Sequence, residues 1–219
     1  VASEGRSRCA IGLFEVGTRR VLPTVDCLAH HRAISAALHE LQVALDKLAI
    51  LPFNHETSSK DVMEAQPSAL RYVQLTVERG SSRIQLVLIW NAGSIEEVQS
   101  LEALAAHLWG SDPEARLWHS IWAHFRGRSD SGAIFAPIAA QGPTAVAGGG
   151  GAWQHLRGPA DVDEVIDGLP FRFGPAAFRQ PNLDAFESIV QTVKVAYAKH
   201  LARHQERTRI LELCGGVGV

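Results

Sequence analysis

The segment Glu212-Leu213-Cys214-Gly215-Gly216-Val217-Gly218-Val219 carries an acidic residue into a glycine turn at the end of an apolar stretch. Glycines let a backbone approach a bound adenosine-containing cofactor with no Cβ in the way. Alone, such a turn is also ordinary punctuation after a strand. The dinucleotide fingerprint asks for G-x-G-x-x-G, and Gly216-Val217-Gly218 supplies its first two positions only. The 10 histidines invite a metal reading, but His30-His31 is the single adjacent pair and no H-x-x-x-H with a partner carboxylate occurs. Solvated or helix-end histidines are therefore the simpler assignment. Trp90, Trp109, Trp118, Trp122 and Trp153 could stack on bases, although core or rim packing accounts for them as well. Arg203, Arg207 and Arg209, with His204 among them, suit a solvated helix C-terminus better than an RNA patch.

These residues need elements to position them. Ile34, Leu38, Leu41, Leu45 and Leu48 recur at helical spacing, predicting an amphipathic helix over 31–48 that Pro52 closes. Cys9–Phe14 and Val21–Val25 flank a Gly17-Thr18 turn and predict a hairpin. Val73, Leu75 and Val77, then Ile84, Leu86 and Leu88, alternate on either side of Arg79-Gly80-Ser81-Ser82, predicting a second hairpin. Ser94-Ile95-Glu96-Glu97 matches a capping box, with one helix expected from there to Gly110. Residues 114–126 alternate as a strand, through Leu117, His119, Ile121, Ala123 and Phe125. The glycine- and proline-rich stretch 136–152 reads as a surface loop. Two short strands at 163–166 and 169–173 lead to a helix capped by Asn182, and a strand at 208–214 runs into the glycine turn. The fold class expected is an α+β central region over 1–175, followed over 176–219 by the truncated start of an α/β Rossmann-like domain.

Composition narrows the function classes. The 219 residues are 46% hydrophobic and 20% charged, with a formal net charge of −2, so a packed core is affordable and disorder is excluded. Cys9, Cys27 and Cys214 lie far apart, which excludes a disulfide scaffold or a self-contained zinc ribbon. No apolar run reaches the ~18 residues of a membrane span. Val1-Ala2-Ser3-Glu4 opens without the basic and apolar regions of a secretory leader. Both ends read as cut: a glycine turn with no helix behind it implies a fragment of a longer protein.

Several segments together resemble the RNA uracil-5-methyltransferases, which make 5-methyluridine in ribosomal and transfer RNA. Ala177-Phe178-Arg179-Gln180-Pro181-Asn182 is similar to the family's S-F-x-Q-x-N box ahead of a helix, and Leu211–Val219 to its cofactor motif. Upstream, Ile11-Gly12-Leu13-Phe14 with Gly17-Thr18 and Asp26-Cys27 is similar to a third family segment, and Leu70–Glu78 with Leu117–Phe125 is particularly similar to a plant and algal branch. The resemblance spans about residues 9–219, apart from 136–152. It implies S-adenosylmethionine as cofactor, contacted by Gln180 and lined by Cys214, Gly215, Gly216, Gly218 and Val219, with tyrosine more usual where Cys214 stands. Phe178 matches a residue near the target base, its bland alternative being a brace for the helix start. The nucleophilic cysteine and the base of the family lie downstream of the glycine motif, so none of the three cysteines here matches the nucleophile. This chain is accordingly expected to be inactive by itself and to bind the cofactor poorly. Cys27 resembles the fourth ligand of a 4Fe–4S cluster that part of the family holds, though a buried thiol is the plainer role. The implied partners are ribosomal or transfer RNA, with no membrane and no disulfides, in a monomer of the cytoplasm or a plastid. A fragment of an NAD(P)-dependent oxidoreductase, or a non-catalytic RNA-binding module, remain open alternatives.

Overall fold

Helix α1, Arg32–Lys47, forms where the periodicity places it, and Ala37, Leu38, Leu41, Ala44 and Leu45 are buried along its stripe. The His31 ring nitrogen Nδ1 accepts the Ala33 N–H at 3.2 Å and serves as its cap. The helix ends before Pro52: Leu48 bonds back to Ala44, Ala49 turns at φ 50°, and Pro52 instead bridges to Leu70 beside a strand. The computed structural model describes residues 9–18, 20–53, 68–126 and 152–203. The expected surface loop at 136–152, except for Ala152, which opens a strand, and the strand expected at 208–214 lie outside them. Among the described residues no helix is long and apolar enough to cross a membrane.

The chain divides into two compact units at Ala160/Asp161. In the first, β1 (Gly12–Phe14) and β2 (Val21–Pro23) form the expected hairpin. A four-stranded mixed sheet follows in the order β3-β4-β5-β6. β3 (Ala69–Val77) and β4 (Ile84–Asn91) are antiparallel, as alternation predicts. β5 (Trp118–Phe125) lies parallel to β4, and β6 (Ala152–Arg157) pairs antiparallel with β5. A parallel neighbour requires a crossover, and α2, Leu101–Trp109, lies within it.

Every residue of β4 is buried, as befits a strand flanked on both sides. Ile84, Leu86, Leu88 and Trp90 join Leu41 and Leu45 of α1, Leu101, Leu104 and Leu108 of α2, and Ile121, Ala123 and Phe125 of β5 in one core. Trp118 also reaches this core, three residues from Ile121, which simple alternation forbids. A register shift explains it: Ile84 faces Trp118 while Gln85 faces Ser120, so the strand gains a residue at His119.

The predicted helix over 94–110 is two pieces, a 3₁₀ turn at Ile95–Glu97 and then α2. Ser94 makes no cap to the backbone, and its hydroxyl bonds Glu96, lowering that carboxyl below its usual range. Glu97 does reach back, but to the Gly93 N–H at 3.1 Å. Burial begins at Val98 rather than at the exposed Ile95, which starts the true stripe three residues late.

In the second unit, β7 (Val162–Ile166) and β8 (Leu169–Phe173) form an antiparallel hairpin. Its two-residue turn, Asp167-Gly168, has φ 51° and 79°, the left-handed pair that a tight hairpin demands and that Asp-Gly accepts readily. Helix α3, Leu183–Arg203, completes the unit. Asn182 caps it as expected, its Oδ1 accepting the Ala185 N–H at 2.9 Å.

Candidate functional site

The segment between β8 and α3 holds the box read from the sequence. It leaves β8 through a turn in which the Ala177 N–H donates to the Gly174 carbonyl at 3.0 Å. Ala177 and Phe186 then pack against Ile166, Phe173 and Leu183, a small apolar cluster joining the hairpin to the first turn of α3. Asn182 holds the other end, its carbonyl accepting the Phe186 N–H at 3.1 Å. The short run Phe178-Arg179-Gln180-Pro181 is thus pinned on both sides.

Within that run, side chains alternate. Phe178 is 79% exposed, an unusual position for an aromatic ring with an apolar cluster close by. Arg179 turns inward to pair with Glu164 of β7, and Gln180 is exposed again. The structure therefore presents Phe178 and Gln180 from one segment and does not use Phe178 as a buried brace. Glu164 had gone unnoticed in the sequence, yet it stands in the inward phase of Val162-Asp163-Glu164-Val165-Ile166. A carboxylate in that phase asks for a cationic partner.

The hairpin turn is tied to α3 by polar contacts. Asp167 accepts Lys194 Nζ at 2.6 Å and the Gln191 side-chain amide, while its own N–H donates to Glu187 at 3.4 Å. Glu187, Gln191 and Lys194 share one face of the helix. Across the strands, Arg172 Nε donates to Asp163 at 3.0 Å, and that carboxylate pushes the guanidinium pKa up.

Cys214, Gly215, Gly216, Gly218 and Val219 lie outside the described residues. Cys27 belongs to the first unit, where it is half-buried just before α1. Asp26 beside it pairs with His39 of α1 at 2.8 Å. Among the described residues, no three histidine, cysteine, aspartate or glutamate side chains converge as a metal site. Trp90 and Trp118 are core residues, whereas Trp122 and Trp153 of β5 and β6 meet edge to face at 6.4 Å.

A second polar group has the residue types of a nucleophilic relay. His119 lies 3.3 Å from Glu78 and 3.2 Å from Ser120. Ser120 is wholly buried, so no substrate reaches its hydroxyl. The group satisfies polar atoms at the β5 bulge.

No family model matches the chain. It is 29% identical, over 210 residues and 95% of its length, to an uncharacterized RNA methyltransferase of Protochlamydia amoebophila. In sequence, this chain is similar to that one RNA methyltransferase. It spans 47% of that protein, about half the length of the relative it matches. Among solved structures, a tRNA (uracil-54, C5)-methyltransferase of Pyrococcus abyssi in complex with S-adenosyl-L-homocysteine aligns with 80% of this chain and 35% of its own, at TM-score 0.49 and 14% identity. The similarity in sequence extends through the segment carrying Phe178 and Gln180, since nearly the whole chain aligns with the Protochlamydia protein.

Proposed function

We propose that this chain belongs to an S-adenosylmethionine-dependent enzyme that methylates C5 of uridine in ribosomal or transfer RNA. The observation that carries the reading is the pinned segment at the start of α3, where Phe178 and Gln180 stand exposed on either side of the inward Arg179. The box resemblance and the relationship to an RNA methyltransferase over 95% of the chain support it.

In this reading, residues 176–219 open a Rossmann-like domain, with Gln180, Cys214, Gly215, Gly216, Gly218 and Val219 around the cofactor. S-adenosylmethionine supplies an activated methyl group when bound. The Gln180 amide offers donors to a carboxylate and an acceptor to an ammonium group, which suits the amino-acid end of that ligand. The exposed ring of Phe178 offers a flat apolar face on which an unstacked pyrimidine can lie. Attack on C6 of uridine needs a thiolate, and the C5 proton needs a base. None of Cys9, Cys27 or Cys214 matches that nucleophile by the resemblance, so both groups are assigned to residues outside this chain.

The test is made on the full-length protein with isotopically labelled S-adenosylmethionine and uridine-containing RNA, digested to nucleosides. Label recovered in 5-methyluridine is the expected result, and label in any other nucleoside rejects the reading. Replacing Gln180 with alanine should weaken cofactor binding by about 1–3 kcal/mol, a factor of about 5 to about 150 in Kd, through unpaired polar groups. An unchanged Kd removes Gln180 from the site.

A further inference from the structure

The inward face of β7 is Val162, Glu164 and Ile166, and Glu164 is only 3% exposed in this apolar company. A buried carboxylate is tolerated when a cation meets it, and the cation here is Arg179, whose side chain is 11% exposed against 1% for Glu164. Arg179 lies in a stretch with neither helix nor strand, flanked by two outward residues. No backbone ladder fixes the orientation of Phe178 and Gln180. Their direction follows from where Arg179 is held.

An apolar residue at 179 could fill the same space, but it could also slide or rotate within it. A guanidinium seeking one carboxylate has a defined angle and a defined depth. We infer that the Arg179–Glu164 pair is a positioning clasp, which sets the segment so that Phe178 and Gln180 face the bound base and cofactor. This rests on the site reading given under Proposed function. Arg179 and Glu164 are positioning residues, since neither needs to touch the ligands. Disengaging the clasp turns the segment without disturbing the caps at Gly174 and Asn182.

The experiment uses the full-length protein and S-adenosylhomocysteine as the probe, with Kd from calorimetry and amide hydrogen exchange read along 174–182. Arg179→Gln should raise Kd at least tenfold and speed exchange at 178–180 at least tenfold, with β7 and β8 unchanged. Arg179→Lys, which keeps the charge but loses the planar fork, should recover Kd only in part, leaving it at least threefold above the parent and below Arg179→Gln; full recovery would overturn the clasp. Should Arg179→Gln fail to fold because Glu164 is stranded, the neutral pair Glu164→Gln/Arg179→Gln replaces it, with the same loss expected. An unchanged Kd in the clasp variants, alongside a weakened Gln180→Ala, overturns the clasp and leaves the site standing. An unchanged Kd in Gln180→Ala overturns the site reading, and the clasp's role goes with it.

Discussion

Cys9 shows how burial decides what a reactive residue type can do. Its backbone carbonyl accepts the Gln42 side-chain amide, and its thiol sits in the core with a pKa pushed up to about 11 from 9.0, first by burial and then by Asp46. The thiolate is the nucleophile, so Cys9 should resist iodoacetamide at pH 8. Peptide mapping by mass spectrometry should find it far less alkylated in the native than in the denatured chain. The same shift has a stability consequence. Between pH 9 and 11 the folded thiol keeps its proton while the unfolded one loses it. Stability is therefore full below pH 9 and falls toward pH 11, by up to about 3 kcal/mol. Urea unfolding across that range should show the fall in the native chain and a shallower one in Cys9→Ala.

Elements were legible where one periodicity ran uninterrupted. The Leu38–Leu48 stripe, the β3–β4 alternation and the Asn182 cap all sit where their residues place them. Replacing Asn182 by alanine should cost about 1 kcal/mol, since the Ala185 N–H loses its acceptor. Chemical denaturation of the native and variant proteins measures it, and a cost near zero would mean that the cap is idle. Irregularities were not legible. The extra residue at His119 shifts the phase of β5, and nothing local in Trp118–Phe125 announces it. The Ser94 capping box had the right letters, but Val98 is the first side chain that the core can bury. β6 escaped notice because Trp153-Gln154-His155-Leu156-Arg157 alternates neither by hydropathy nor by charge. Its place comes from β5, which offers it a row of backbone partners.

At the scale of the whole molecule, the candidate site was half legible. Phe178 and Gln180 were named through the resemblance to a family box and Asn182 as a helix cap, whereas nothing in the sequence tied the first two to Glu164. Glu164 precedes Arg179 by 15 positions and meets it only after the β7–β8 hairpin has closed. The mixed α/β order of the first unit followed from patterns, yet the parallel pairing of β4 and β5 did not, because hydrophobic alternation carries no strand direction. The apolar faces of α1 and α2 meet the sheet from the side of Ile84, Leu86 and Leu88. The other face carries Gln85, Asn91, Ser120 and His124, all buried. Composition averages over both faces and so registers neither.

The pairing of β6 has a kinetic meaning. Ala152 lies opposite Phe125, and bringing together ends so distant in sequence carries a loop-closure cost that grows with their separation. The β3–β4 hairpin closes over six residues, Glu78 to Arg83, and meets no such delay. The sheet should therefore assemble from the hairpin outward and gain β6 after its rate-limiting barrier. In stopped-flow kinetics, Trp153→Ala should speed unfolding and leave the folding rate nearly unchanged, a φ-value near 0, whereas Leu86→Ala should slow folding. A φ-value near 1 at Trp153 would instead make β6 the strand on which the sheet is built.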